Sequence, residues 1–517
     1  MVTLADAQLL GIRRGIEKES LRAMSDGTLA LTPHPQALGS ALTHPSITTD
    51  YSESQLEMIT GVHATPESAL AELTDVHQAV YAALGGQGGQ GGQRRQGDER
   101  LWVSSMPSGL PTDETIPIGR YGNSNIGRAK SVYRMGLGQR YGRRMQTISG
   151  IHYNWSLPGV SSEQYFGLIR NFRRHSFLLL YLFGASPALC SSFVAGRRHE
   201  LLPLGANGQV HTFHMPHATS LRMGRLGYQS DAQALLAVSY NNLESYAASL
   251  EAALVRPYGP YEAIGVRNPG GDYNQLSTSL LQIENEFYGT IRPKRVIRPG
   301  ERPLHALRER GVEYVEVRCM DLDPFEPVGI NAQTMRFLDV FLLHCLTTES
   351  PPDTPEEIAA LSRNQHRVAA RGRERELQLE YDTRTRSLAD WGSEVLRQCE
   401  PMAAALDAAH GGSLYGEALM EARRRILKPE TTPSARVLEI MQRDFGGSHV
   451  RFIQACSEAT REHIAGLPTR PGLSEHYARL AAESVAEQQR IEAADAARGE
   501  DFESFRQRYV APAALEV

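Results

Sequence analysis

The sequence is poor in cysteine, and its five cysteines (Cys190, Cys319, Cys345, Cys399 and Cys456) lie far apart with no CxxC pair. That spacing argues against a thiolate zinc site and a disulfide frame, and it suits reduced thiols that serve packing in a cytosol. Long apolar runs are also missing. The longest, FLLLYLFGASPALC from Phe177 to Cys190, falls short of the roughly 20 residues a membrane helix needs. Gly184, Ser186 and Pro187 interrupt it, so it reads as a buried helix and its end. The opening residues, MVTLADAQLLGIRRG, lack the basic start and apolar core of a signal peptide. Basic charge is not in excess: 54 Lys and Arg face 59 Asp and Glu, a formal net charge of -5, which excludes a general affinity for nucleic acid or anionic membrane. There is no G-x-S-x-G elbow and no Cys/His signature. The stretch GNSNIGRAKS imitates a phosphate-binding loop, but Arg128 and Ala129 stand where Lys and Ser or Thr are needed.

What is present describes a large soluble protein, with 517 residues of which 41% are hydrophobic and 22% charged. From residue 15 to about 350, short alternating segments mix with helical ones, the pattern of an α+β core. GIEKESLR, SQLEMIT, SGIHYNWSL, LLQIENEFY and GVEYVEVRCMD are the candidate strands. The tract GGQGGQGGQRRQG (85–97) cannot build a core and is expected as a surface loop. Beyond residue 350, Ala, Glu, Arg and Gln dominate with long helical periods. The expected division is therefore a sheet-containing core over 1–350 and a mainly helical region over 351–517 packed on it.

Alternation along a strand puts Glu17, Glu19 and Leu21 on one face of GIEKESLR. Like charges so placed repel unless water or a cation lies between them. The same test puts Tyr314, Glu316 and Arg318 together, His152 with Asn154, and Glu284 with Glu286 and Tyr288; Asp50 and Glu57 lie in TTDYSESQLEMIT. Such a face would suit a hard divalent cation such as Mg²⁺ or Mn²⁺, since zinc would want more His or Cys. It would equally suit a solvated surface on which Glu pairs with Arg. Between Glu114 and Glu163 there is no acid, yet Arg120, Arg128, Lys130, Arg134, Arg140, Arg143 and Arg144 fall there. This stretch is either the cationic wall of a polyphosphate site or a solvated basic surface.

Taken together, GIEKESLR, ALGSALTHPSITTDYSESQLEMITG, YGNSNIGRAKSVYRMGL, RYGRRMQTISGIHYNWSLP, YLFGASPALCSSF, ATSLRMGRLGY, LQIENEFYGTIRPKR and GVEYVEVRCMDLDPF closely resemble the proteobacterial glutamate-cysteine ligases, in order over roughly residues 10 to 350. The resemblance implies a glutamine synthetase-like, curved and mainly antiparallel sheet forming a funnel-shaped barrel, with helices outside. It implies an ATP- and Mg²⁺-dependent ligase, with Mn²⁺ as a substitute, that joins the γ-carboxylate of L-glutamate to the amine of L-cysteine through γ-glutamyl phosphate, the first step of glutathione synthesis. Glu17, Glu19, Asp50, Glu57, His152 and Glu316 match the family's metal cluster. Arg318 is the candidate to stabilise the transferring phosphoryl, and Arg222 in ATSLR is a candidate for a substrate carboxylate or phosphate. Tyr51, Tyr133, Tyr228 and Tyr288, with Arg134 beside Tyr133, match the pocket for the amine acceptor. At Tyr51 the chain departs from the family's Phe, adding a hydroxyl beside the thiol pocket that bears on selection among cysteine, serine and 2-aminobutyrate. There is no room for the further ligase domain of fused glutathione synthases, so glycine addition is expected of another protein. The expected form is a cytoplasmic monomer acting on small molecules, without nucleic acid or membrane partners.

Overall fold

The twelve residues Arg13–Met24 form one long strand because two kinds of residue alternate along it: Ile16, Lys18 and Ser20 point to one side, and Glu17, Glu19 and Leu21 to the other. The computed structural model describes residues 5–85, 99–205, 211–227, 231–234, 236–298 and 300–516. Its strands are β1 (Arg13–Met24), β2 (Ile47–Thr49), β3 (Gln55–Ile59), β4 (Glu99–Leu101), β5 (Ile151–Ser156), β6 (Ala188–Cys190), β7 (Leu202–Leu204), β8 (Thr212–His214), β9 (Ile291–Lys294), β10 (Tyr314–Met320), β11 (Gln378–Tyr381) and β12 (Arg384–Ser387).

The main sheet has seven strands in the order β2-β3-β1-β5-β10-β9, with β4 added beside the far end of β1. All of its pairings are antiparallel. Four of the five candidate strands are thus strands of this sheet. The fifth, LLQIENEFY, contains a 3-10 turn at Glu284–Glu286 instead. Its carboxylates are taken up locally: Glu284 accepts from the Arg302 Nη2 at 2.7 Å and the Leu304 amide at 3.1 Å, and Glu286 from Arg140 at 2.8 Å and the Tyr141 hydroxyl at 2.6 Å. Those bonds hold a turn that an extended chain could not make.

The sheet does not close, which corrects the expectation of a barrel: β2 and β9 are its two ends. Pro293 in β9 has no N–H to offer a further strand, so that end is a natural edge. A register shift between Val317 and Met320 marks a bulge in β10, a feature that bends and twists a sheet locally.

One face of the sheet is covered by helices Pro66–Gly85, Ser162–Phe183 and Ala332–Thr347. The second begins at a capping box made by Ser161 and Gln164 and carries the apolar run from Phe177, which is buried as expected. Ile16, Ile151, Tyr153, Trp155, Val315 and Val317 meet these helices in one buried cluster. Each such large side chain contributes about 1.5–3 kcal/mol by leaving water. The same cluster includes Val368, Val395, Leu406 and Leu419 from beyond residue 350. A buried ion pair pins the strands to the helices: Arg14 Nη2 lies 2.6 Å from Asp339 Oδ2, and the Tyr153 hydroxyl donates to Asp339 Oδ1 at 2.9 Å. No helix among the described residues is long and apolar enough to cross a membrane. Of the expected loop at 85–97, Gly85 ends the helix Pro66–Gly85 and 86–97 lie outside the described residues.

Candidate active site

The opposite face of the sheet carries the candidate carboxylates and His152, and the register brings them side by side. Glu19 is opposite Glu57, Glu17 is opposite His152, and Glu316 lies opposite Asn154 on one side and Arg292 on the other. Residues about 300 apart in sequence become neighbours only because β1, β5 and β10 are adjacent. Ligand atoms of Glu17, Glu57 and His152 lie within 4.8 Å of one another. His152 Nδ1 is 3.3 Å from Glu17 Oε2 and 3.6 Å from Glu316 Oε1, and its Nε2 is 3.9 Å from Glu19 Oε1. Asn154 donates to Glu17 Oε1 at 2.8 Å.

Two electrostatic halves result. Around Glu316 the charge is positive: Lys294 Nζ lies at 3.3 Å, Arg318 Nη1 at 3.3 Å and Arg292 Nη1 at 3.7 Å. Burial opposes ionisation of Glu316, but Lys294 and Arg318 overcome it and hold its carboxyl well below the usual range. Glu17 behaves alike: burial works against its charge, and the His152 hydrogen bond and the Lys294 ammonium keep its pKa lowered. Around Glu19 and Glu57 the charge is negative. Burial and Asp50 push Glu19 up to about 8. Burial, Glu17 and Asp50 push Glu57 well above the ordinary value. Burial, with Arg318 nearby, lowers His152, which favours the neutral imidazole. The negative half is the one short of countercharge.

Helix Asn125–Tyr141 flanks that half. Its basic residues divide between roles. Lys130, brought down to about 8 by burial and by Arg134, has Glu57 among its neighbouring charges. Arg134 donates to the Asp50 carbonyl and lies over the Tyr121 ring at 4.5 Å. Arg140 is committed to Glu286, Arg143 to the carbonyls of Glu114 and Ile116, and Arg144 to those of Pro111 and Ala195. The basic stretch is therefore mostly structural, with Lys130 and Arg134 turned to the carboxylates.

The remaining candidates fall as follows. Arg318 shares the face with Glu316, as its spacing implies. Arg222 is 1% exposed, and its Nη2 donates to the Arg318 carbonyl at 2.8 Å. Tyr51 is also 1% exposed, and among the described residues its hydroxyl has no hydrogen-bond partner. Tyr133 is half-buried, and its carbonyl accepts from Gln282 Nε2 at 3.2 Å. The Tyr288 hydroxyl accepts from Gln146 Nε2 at 2.7 Å. Tyr228 lies outside the described residues. Arg292 and Lys294 were missed, although the spacing that singled out Glu17 and Glu19 recurs between them in IRPKR.

A family model described as Glutamate-cysteine ligase matches residues 3–368. The glutamate-cysteine ligase of Alcanivorax borkumensis is 48% identical over 96% of both chains, and that of Saccharophagus degradans is 45% identical over 97% of this chain and 94% of its own. The crystal structure of the Francisella tularensis glutamate-cysteine ligase in complex with AMP superposes with a TM-score of 0.88 at 35% identity, covering 97% of each chain. A bifunctional glutathione synthetase from Pasteurella multocida gives 0.66 at 26% identity, with this chain spanning 53% of that one. The antiparallel sheet and its charged face belong to an enzyme of the ligase class. The chain is a member of the glutamate-cysteine ligase family.

Proposed function

We propose that this protein joins the γ-carboxylate of L-glutamate to the amine of L-cysteine at the expense of ATP, the first step of glutathione synthesis, on the charged face of its antiparallel sheet. Family membership supports the reaction. The observation that carries the site is the row of Glu57, Glu19, Glu17, His152 and Glu316 across four strands, ending at Arg318.

The donor set fits a hard divalent cation: oxygen ligands with one imidazole, and buried carboxylates whose raised pKa values show that their ionised forms lack countercharge. Glu17, Glu19, Asp50, Glu57, His152 and Glu316 would hold Mg²⁺, with Mn²⁺ as a substitute. When bound, the metal offsets the charge of the ATP phosphates. Arg318 would stabilise the transferring phosphoryl, a role supported by its guanidinium lying on the charged face within 3.3 Å of Glu316. Arg222 supports the same corner from beneath. Tyr51, Tyr133, Tyr228, Tyr288 and Arg134 would line the acceptor pocket, as the family resemblance implies, and the unpartnered Tyr51 hydroxyl supports a polar contact there.

A carboxylate is a poor acyl electrophile, so the reaction runs in two steps. A γ-carboxylate oxygen of glutamate attacks the γ-phosphorus of ATP and ADP leaves. The cysteine nitrogen then attacks the γ-acyl carbon, phosphate leaves with the bridging oxygen, and the amine proton passes to solvent. The cytoplasm is the expected compartment, supported by cysteines that are all free. The test is isotopic: glutamate labelled with ¹⁸O in its γ-carboxylate should deliver one ¹⁸O to the inorganic phosphate. Unlabelled phosphate would exclude the acyl phosphate.

A further inference from the structure

Directly after β10, the Asp321 carboxylate is 4% exposed and takes four interactions. Its Oδ2 accepts from the Ser186 hydroxyl at 2.6 Å and the Ala185 amide at 2.9 Å; its Oδ1 accepts from the Ser220 hydroxyl at 2.9 Å and lies 3.6 Å from Arg222 Nη1. The serines are as deeply buried, Ser186 at 2% and Ser220 at 0%. So many donors on one carboxylate in a dry setting fix its position.

What Asp321 holds leads to the charged face. Arg222 Nη2 reaches the Arg318 carbonyl at 2.8 Å. The same guanidinium lies over Gly150, where even a Cβ would collide with it. Gly150 in turn grips Glu19 twice: its amide donates to Glu19 Oε2 at 2.8 Å, and its carbonyl accepts from the Glu19 amide at 3.0 Å. The guanidinium therefore touches the backbone beneath both Arg318 and Glu19.

We propose that Asp321 is a positioning residue of this ligase: through Arg222 it sets the backbone of Arg318 and of Gly150, and so the aim of the Arg318 guanidinium and the Glu19 carboxylate. The proposal rests on the reading of the charged face as the active site. Ser186, Ser220 and Ala185 hold Asp321 from the other side, so its carboxylate has little freedom to follow a displaced Arg222. A shift of even about 1 Å in groups so placed costs around 10²-fold in rate.

The test is Asp321→Asn, which keeps the volume and removes the charge that holds Arg222. It is assayed well below its own Tm, beside wild type and Glu19→Gln. The expected result is a kcat lower by tenfold or more, a half-saturating Mg²⁺ concentration raised several-fold and a cysteine KM within twofold of wild type. A network that served folding alone would lower Tm and leave kcat and the Mg²⁺ dependence of the folded enzyme unchanged, and that result overturns the proposal. Should Asp321→Asn not fold, Arg222→Lys is read the same way, because it keeps a charge but cannot span Asp321 and the Arg318 carbonyl together. Wild-type kcat and Mg²⁺ dependence in that variant overturn it too. If Glu19→Gln is inactive while Asp321→Asn is normal, only the positioning role fails; if Glu19→Gln is itself normal, the site reading fails and the proposal with it.

Discussion

Glu19 on β1 and Glu57 on β3 stand directly opposite one another, with Glu17 two residues along the same face. Glu19 and Glu57 are costly to ionise so placed unless a cation shares them. Glu19→Gln keeps the shape, and its amide oxygen can still accept from Gly150. It should lower kcat by roughly a hundredfold or more while leaving the fold intact by circular dichroism. Unchanged turnover would remove Glu19 from the site.

The same residue predicts a pH dependence. Glu19 is raised from 4.5 to about 8 in the folded chain, so between those values the folded state binds more protons than the unfolded one, and stability falls as pH rises through that window. Glutamine does not titrate. Without divalent cation, the Tm of Glu19→Gln relative to wild type should therefore climb between pH 5 and 8, and added Mg²⁺ should stabilise wild type more than the variant. A pH-independent difference would mean that Glu19 is not held in its proton-bound form.

Tyr51 hides a hydroxyl with no partner among the described residues. Tyr51→Phe removes that desolvated group and should raise stability by about 1 kcal/mol. On the pocket assignment, it should also change the cysteine KM while leaving those for ATP and glutamate within twofold. An effect confined to ATP would move Tyr51 out of the acceptor pocket.

On the helix-covered face, Arg14 and Asp339 are both fully buried as an ion pair. Asp339→Ala would strand the Arg14 guanidinium and the Tyr153 hydroxyl, at a cost of about 3–5 kcal/mol in denaturant unfolding. A loss below 1 kcal/mol would show that the pair is not anchoring the strands.

How much of this was legible in the sequence depends on how local each signal is. Glu17 and Glu19 reveal their shared face by a two-residue spacing, and Glu316 and Arg318 do likewise, because alternation is a property of a single strand. That β1 lies between β3 and β5 is a long-range fact, and only motif resemblance brought His152 and Glu316 to Glu17. The Glu284–Glu286 segment misled for the opposite reason. Its alternation looked like a strand, but Arg302 and Arg140, distant in sequence, hold it as a turn. Asp321 carried no local signal at all, since its partners come from two segments about 100 and 135 residues away.

The most direct measurement of the central claim is phosphate release from ATP and Mg²⁺ with L-glutamate, with and without L-cysteine, with the product identified by mass. The expected result is release that depends on cysteine and is matched mole for mole by γ-glutamylcysteine. Release indifferent to cysteine, or no dipeptide among the products, would contradict it.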